Sequence, residues 1–152
     1  MRIAVGSDEA NSLTEAVVSH LRDEGHELEL VGPLAGDDTE WADVGALVGR
    51  RVADGGADTG VVACWTGTGV SIAANKVPGI RAALCGDAET AKGARRYNHA
   101  NVLVLSLRAT SEQLGREIVD AFLGSPDGDE DFDHRNVRRI NELDAERGGA
   151  SA

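Results

Sequence analysis

The feature that most constrains the fold is a short apolar segment followed by a helical pattern, a pair that occurs five times within residues 1–124. In the first pair, Arg2 to Gly6 has the composition of a buried strand, and apolar residues recur at helical spacing from Leu13 to Leu21. The later predicted strands are 26–31, 60–64, 80–84 and 102–107. Strands that alternate with helices form a mostly parallel sheet covered on both faces. The pattern therefore predicts one α/β domain over residues 1–124.

The C-terminal part of the chain has a different composition. Residues 124–133 are acidic and contain glycine and proline, which predicts a flexible linker, and a helix is expected from about His134, so that linker and helix together occupy 125–147. Val137, Ile140 and Leu143 give this helix only a narrow apolar stripe, so we expect it to pack on a partner subunit. The tail, 148–152, is predicted to be disordered.

The overall charge limits the partners that this chain can have. A net charge of −11 argues against nucleic acid and anionic membranes, because both are bound by basic surfaces. No apolar segment approaches the ~20 residues of a membrane span, and no signal-peptide pattern precedes the first predicted strand. We therefore expect a soluble, cytoplasmic protein. Two cysteines outside any CxxC pair or zinc-spaced cluster predict neither a disulfide framework nor a metal site.

The most informative segment is Cys64-Trp65-Thr66-Gly67-Thr68-Gly69-Val70-Ser71, between the third predicted strand and its helix. Ligands of parallel sheets bind at the carboxyl ends of the strands, where this thiol is expected. Glycines let the backbone approach a ligand closely, and amides that begin a helix favour an enolate-like oxygen or a phosphate. Taken alone, Cys64 fits equally well as a small apolar residue at a strand end.

Other phosphate-binding and nucleotide-binding motifs do not match this segment. It lacks the Gly-Lys-Ser/Thr ending of a nucleotide phosphate loop and the third glycine of a dinucleotide fingerprint. A tyrosine-phosphatase loop would need an arginine six residues after the cysteine, where Val70 stands. Nucleotide hydrolysis, phosphatase chemistry and, more distantly, a dehydrogenase are therefore disfavoured.

The run from Ser71 to Cys85, together with Gly6-Ser7-Asp8 and Asn101-Val102-Leu103, resembles the type B ribose-5-phosphate isomerases and the related galactose-6-phosphate isomerase subunits. The resemblance spans about residues 1–124. It implies a Rossmann-like three-layer sandwich with no metal or other cofactor. It also implies a homodimer or dimer of dimers whose active sites, for a sugar or sugar phosphate, are shared between two subunits.

The resemblance also implies roles for individual residues. Cys64 matches the cysteine that moves a proton between C1 and C2, and Thr66 matches a threonine that shuttles hydroxyl protons. Amides of an oxyanion loop that holds the enediolate oxygen are matched by Gly67, Thr68, Gly69 and Val70. The positions expected to bind substrate are Asp8, Glu9, Trp41, Tyr97, Asn98, His99, Arg108, Arg135 and Arg139.

Several positions depart from the family pattern. Glu9 and Tyr97 stand where the family has histidines, the second being the ring-opening one, and Trp65 replaces a glycine. Phe132 and Asn136 fall where the family spaces two phosphate-binding arginines four apart. The proton-transfer set is unchanged, so the pattern predicts altered specificity rather than lost chemistry.

The departures favour a substrate other than ribose 5-phosphate. A four-carbon sugar phosphate is already open-chain and needs no ring-opening residue; otherwise Tyr97 or His99 takes over that role. Arg135 and Arg139 either supply shifted phosphate contacts or lie on a solvated helix face. A non-phosphorylated sugar and a sugar-binding relative that has lost catalysis are the alternatives.

Overall fold

A computed structural model describes residues 1–149 of the protein. These residues form one five-stranded parallel sheet between two layers of helices. The strands are β1 (Arg2–Ser7), β2 (Glu27–Val31), β3 (Thr59–Cys64), β4 (Ala82–Leu84) and β5 (Val102–Ser106), in the order β2-β1-β3-β5-β4. The helices are α1 (Ser12–Asp23), α2 (Trp41–Ala53), α3 (Thr68–Ala74), α4 (Ala88–Asn98), α5 (Glu112–Gly124) and α6 (Asp131–Gly149). This architecture confirms the predicted α/β class and the parallel sheet.

The alternation of side chains along each strand divides the core into two clusters. Ile3 and Val5 of β1 join one cluster with α1, α4 and α5, while Ala4 between them joins the other with α2 and α3. Strand β3 is buried along its whole length, as expected for a central strand of a parallel sheet.

The connections that follow β1 and β3 run to opposite faces of the sheet, and this arrangement positions the site. The chain leaves β1 towards α1 on one face of the sheet and leaves β3 towards α3 on the other. The loops therefore diverge above two adjacent strands and leave a crevice between them. Such switch points are where ligands bind in open α/β sheets.

The C-terminal segment differs from its prediction in two ways. Helix α6 begins at Asp131, earlier than the expected His134, and continues through Gly149. Residues 125–130 are tied to the end of α4, since Gly128 N–H donates to the Arg96 carbonyl at 3.0 Å and Arg95 pairs with Asp127 at 2.9 Å. The segment is therefore a fixed strap rather than a free linker.

Helix α6 makes polar contacts with its own subunit. Asp144 accepts a 2.8 Å hydrogen bond from Gly79 N–H, and Asp133 is the one buried residue of the helix within its described range. Of the predicted tail, Gly148 and Gly149 are helical, and 150–152 lie outside the described residues. No helix within residues 1–149 combines the length and the apolar character that a membrane span requires.

Candidate active site

Cys64 lies at the carboxyl end of β3, where the strand opens into the glycine-rich loop. Its side chain is buried, and its carbonyl accepts hydrogen bonds from Gly67 N–H at 3.1 Å and Leu107 N–H at 3.0 Å. These bonds fix the turn after the strand and tie it to the end of β5. The thiol is therefore held at the sheet edge where the crevice opens.

Gly67 makes the turn into α3 possible. Its φ of +77° lies in the left-handed region, and an added Cβ would stand 2.5 Å from Leu84 Cδ1 and 3.0 Å from the Leu105 carbonyl oxygen. Its N–H already donates to the Cys64 carbonyl, so in this structure Gly67 sets the course of the loop. Its expected part in holding an oxyanion stays a prediction.

The first turn of α3 supplies the remaining amides. Those of Thr68, Gly69 and Val70 have no helical carbonyl four residues earlier, and the first such bond runs from Ser71 N–H to the Gly67 carbonyl at 3.2 Å. Their N–H groups carry the positive end of the local peptide dipoles. This turn can stabilise an oxyanion beside the thiol.

Two hydroxyl groups flank the turn. Thr66 Oγ1 and Thr68 Oγ1 lie 2.7 Å apart, and both side chains are exposed. One hydroxyl donates to the other, which leaves the second proton free to reach a ligand. The pair can therefore pass a proton between two substrate oxygens.

Trp41 packs directly on the loop from the start of α2. A Cβ added to Gly69 would approach Trp41 Cε3 to 2.8 Å, so the ring covers the glycine closely. The indole is 47% exposed and keeps an open surface beside the loop. The structure thus brings Trp41, one of the residues expected to bind substrate, to the predicted oxyanion loop.

The ends of β1 and β5 complete this edge of the sheet. Asp8 is half-buried and Glu9 is exposed, and Ser7 Oγ fixes their turn by donating to the Glu9 carbonyl at 2.7 Å. Arg108 follows β5 and is exposed, and its N–H donates to the Trp65 carbonyl at 3.0 Å. Within residues 1–149, no carboxylate pairs with Arg108.

Tyr97 and Asn98 lie at the opposite edge of the sheet. They end α4, and nearby Asn101 accepts at its carbonyl from Gly60 N–H at 3.1 Å, near the beginning of β3. The six residues of β3 separate that end from Cys64 by about 17 Å. One subunit therefore does not bring these two predicted substrate residues to the thiol.

A groove of about 640 Å³ lies beside Tyr97, between α4 and α6. Its lining residues are Tyr97, Asn98, Glu130, Phe132, Asp133, Asn136 and Ile140. We call it the α6 groove. It contains two carboxylates and, among its lining residues, no lysine, arginine or histidine.

The two C-terminal arginines do not line the α6 groove. Arg135 lies over the Phe132 ring, 5.9 Å from its centroid, and Arg139 is held by Glu142 at 3.1 Å and Glu146 at 2.8 Å. Both side chains lie on the exposed face of α6, as the second of the two alternatives expects, and phosphate contacts from Arg135 and Arg139 stay a prediction.

His99 is also a structural residue. It is buried, it adopts a left-handed backbone with φ of 47°, and its Nε2 lies 3.0 Å from the Gly128 carbonyl. The His134 ring packs edge-on against it, with the centroids 5.1 Å apart. The strap therefore encloses the His99 ring within this subunit, which disfavours the expectation that His99 binds substrate or replaces the ring-opening histidine; that role stays a prediction.

Three residues near Cys64 or in the α6 groove were not foreseen. Ser106 Oγ donates to the Trp65 carbonyl at 3.0 Å, and a hydroxyl at the end of an otherwise apolar strand was the available signal. Glu130 and Asp133 line the α6 groove, but they belong to a segment that its composition marked only as acidic linker. No group of three or more potential metal ligands occurs within residues 1–149.

Comparison with known proteins places the chain in a family. The model of the Ribose/Galactose Isomerase family matches residues 3–143. The chain is 38% identical over 125 residues to ribose-5-phosphate isomerase B of Escherichia coli, covering 82% of this chain and 84% of that protein. It is 34% identical over 125 residues to D-erythrulose-4-phosphate isomerase of Pectobacterium atrosepticum, covering 81% and 82%.

A solved structure agrees with these matches. Ribose-5-phosphate isomerase B of Clostridium thermocellum superposes with a TM-score of 0.91 at 35% identity, covering 97% of this chain and 99% of that chain. The resemblance indicated by the run from Ser71 to Cys85 is thus confirmed, and the chain belongs to the ribose/galactose isomerase family.

Proposed function

We propose that this chain isomerises an aldose and a ketose of a sugar phosphate through a cis-enediol, with Cys64 as the base. The observation that carries the proposal is the grouping of a thiol, a hydroxyl pair and the amides of a first helical turn at one strand end. A proton transfer between adjacent carbons needs a base, a route for hydroxyl protons and a stabilised oxyanion. The carboxyl ends of β1, β3 and β5, which carry Asp8, Cys64 and Arg108 and which we call the Cys64 edge, offer all three.

The proton and electron movements follow from this arrangement. The Cys64 thiolate removes the proton from C2 of the open-chain aldose, and the C–H electron pair forms the C1–C2 double bond while the carbonyl oxygen becomes an oxyanion. Amides of Thr68 to Val70 stabilise that oxyanion. Thr66 passes the hydroxyl proton from O2 to O1, and the thiol returns its proton to C1 to give the ketose.

A short, open-chain sugar phosphate is the substrate that the charges favour. Arg108 is the exposed cation at the Cys64 edge, whereas the α6 groove carries Glu130 and Asp133 and would repel a phosphate. A similar protein is named D-erythrulose-4-phosphate isomerase, whose four-carbon substrate cannot form a ring through its phosphorylated 4-hydroxyl. We therefore propose a four-carbon substrate, with its phosphate near Arg108, over ribose 5-phosphate.

The complete site needs two copies of the chain. Tyr97 and Asn98 lie near the beginning of the six-residue strand β3, and Cys64 lies at its other end, about 17 Å along the strand. Phe132, which is 66% exposed, and Ile140 leave an apolar border on the α6 groove. We propose a homodimer, or a dimer of dimers, in which this groove faces the Cys64 edge of the partner.

The two carboxylates of the α6 groove support one alternative substrate class. Carboxylates, amides and the aromatic rings of Tyr97 and Phe132 suit an uncharged sugar end better than a phosphate. A non-phosphorylated sugar is therefore the second candidate.

A cytoplasmic location stays a prediction from the sequence.

Isotope exchange tests the proposed reaction directly. Incubation in deuterated water with erythrose 4-phosphate or erythrulose 4-phosphate should place deuterium at C2 or C1, as mass spectrometry of the recovered sugar would measure. Ribose 5-phosphate and unphosphorylated erythrose serve as comparison substrates. Exchange with no sugar in this set would contradict isomerisation, and fastest exchange with ribose 5-phosphate would contradict the assigned substrate.

A further inference from the structure

Trp65 is a large apolar side chain beside the proposed base that neither the core nor the proposed mechanism uses. It stands between Cys64 and Thr66, and its side chain is 58% exposed. Exposing an indole forgoes the free energy that its burial would supply. Its position leaves the indole available to a ligand or to a partner subunit at this end of the sheet.

The backbone of Trp65 is fixed at the sheet edge. Its carbonyl accepts two hydrogen bonds, from Ser106 Oγ at 3.0 Å and from Arg108 N–H at 3.0 Å. The preceding carbonyl, that of Cys64, is held by Leu107 N–H at 3.0 Å. The indole can therefore change rotamer but cannot leave the edge at which the thiol and Arg108 lie.

Other exposed apolar side chains border the same loop. Leu84 lies against Gly67 and Trp41 lies against Gly69, so the loop between β3 and α3 has apolar neighbours on both sides. Trp65 is a third exposed apolar side chain at this end of the sheet, next to Cys64 in the chain. Apolar side chains beside a crevice exclude water from an enediolate and limit the space left for further sugar carbons.

We propose that Trp65 determines specificity by closing the end of the substrate crevice and limiting the length of the sugar chain that fits. The inference rests on the proposed function, since it assigns the length of a substrate converted at Cys64. Discrimination by one extra carbon in such a pocket is typically about 10- to 200-fold. Removing the indole should reduce that discrimination.

A size series at this position tests the inference. Trp65→Phe and Trp65→Ala should raise the ratio of kcat/KM for ribose 5-phosphate to kcat/KM for erythrose 4-phosphate in that order, by about tenfold or more for Trp65→Ala. Sedimentation of each variant shows whether assembly is intact. Ratios that stay within twofold of wild type, or a change that appears only when assembly is lost, would overturn the proposal.

Fluorescence gives a second readout that does not need turnover. The chain has two tryptophans, so Trp41→Phe leaves Trp65 as the only one. Titration with 4-phosphoerythronate, a four-carbon carboxylate analogue, should change its emission in a saturable way. Binding detected by calorimetry without any emission change would show that Trp65 is remote from the ligand.

The outcomes distinguish failure of the proposed function from failure of the role assigned to Trp65. A wild-type protein that exchanges deuterium with none of the sugars contradicts the proposed function and this inference together. An active wild-type protein with a flat Trp65 series contradicts this inference alone and leaves the role of Cys64 standing.

Discussion

Cys64 and Cys85 are both buried thiols, and their surroundings suit them to different roles. Burial, with the nearby Asp87 carboxylate as a smaller cause, raises the pKa of Cys85 to about 11. Cys85 therefore stays protonated at neutral pH and donates weakly to the Ala83 carbonyl at 3.5 Å. Cys64 instead is the last residue of β3, at the carboxyl end of the sheet, where ligands of parallel sheets bind.

Substitution of the two cysteines gives a matched pair of variants. Cys64→Ala should lower kcat by about 10²- to 10⁴-fold, because the base for the carbon proton is lost. Cys85→Ala should retain activity close to wild type, since the proposed chemistry does not use that thiol. Thermal unfolding shows whether each variant is folded, and a folded Cys64→Ala protein with more than a tenth of wild-type activity would contradict the assignment.

Gly67 is predicted to be indispensable to the loop. Gly67→Ala adds a Cβ that meets Leu84 and the Leu105 carbonyl, and it also occupies a left-handed φ. Gly25→Ala is the matched control, because Gly25 has a φ of +81° and no atom within 4 Å of the added carbon. The control should lose about 1 kcal/mol of stability, typical of left-handed strain alone.

Gly67→Ala should lose more stability than the control and should also lose activity, as the α3 amides shift. Chemical denaturation and steady-state kinetics measure the two effects. Equal losses of stability in both variants, with activity intact, would show that the loop tolerates a side chain at this position.

At the level of elements, the strap from 125 to 130 sets where α6 begins. Arg95 donates to the Ser125 carbonyl at 3.2 Å and pairs with Asp127, and its guanidinium lies 5.5 Å from the centroid of the Phe122 ring. His99 contacts the Gly128 carbonyl from the other side. Since α6 forms one wall of the groove, these contacts determine the shape of the groove.

A methyl group in the strap should therefore disturb the groove. In Gly128→Ala the added carbon clashes with the Arg96 carbonyl, so the strap must move away from α4. Gly124→Ala is the control, because nothing lies within 4 Å of its added carbon. Hydrogen exchange over 125–135 should become faster in Gly128→Ala only, with a raised KM. Unchanged exchange in that variant would show that the strap does not fix α6.

Local patterns predicted most elements but not how they associate. The five strands and the α/β class follow from periodic apolar segments, and the fixed strap was missed because its glycine and acidic residues are equally common in free linkers. The strap is held by Arg95 and His99, which are distant in sequence. The separation of Tyr97 from Cys64 follows from the alternation of strands and helices. A helix that connects two parallel strands runs back across the sheet and ends near the amino ends of the strands, whereas Cys64 lies at their carboxyl ends.

At the scale of the whole molecule, the proposed sharing of each site between two subunits predicts how mixed dimers behave. Cys64→Ala and Asn98→Ala should each be nearly inactive. When the two variants are unfolded and refolded together in equal amounts, half of the dimers carry one intact site, so about a quarter of wild-type activity should return. Each hybrid site takes Cys64 from one chain and Asn98 from the other.

Refolding each variant alone is the control for this experiment and should restore nothing. Activity that does not rise on mixing, although the hybrids are detected by native mass spectrometry, would contradict a site shared between subunits. A wild-type protein that sediments as a fully active monomer would contradict it as well.

The separation of the Cys64 edge from the α6 groove within one subunit has different consequences for folding and for catalysis. Sites more than about 10 Å apart with no shared partners contribute nearly additively, so paired substitutions in the two regions should have additive effects on the free energy of unfolding. In the proposed dimer, the groove that contains Asn98, Phe132 and Asn136 faces the partner's Cys64, and both regions contact one substrate. The same paired substitutions should therefore be non-additive in kcat/KM, so that residues independent in folding are coupled in turnover.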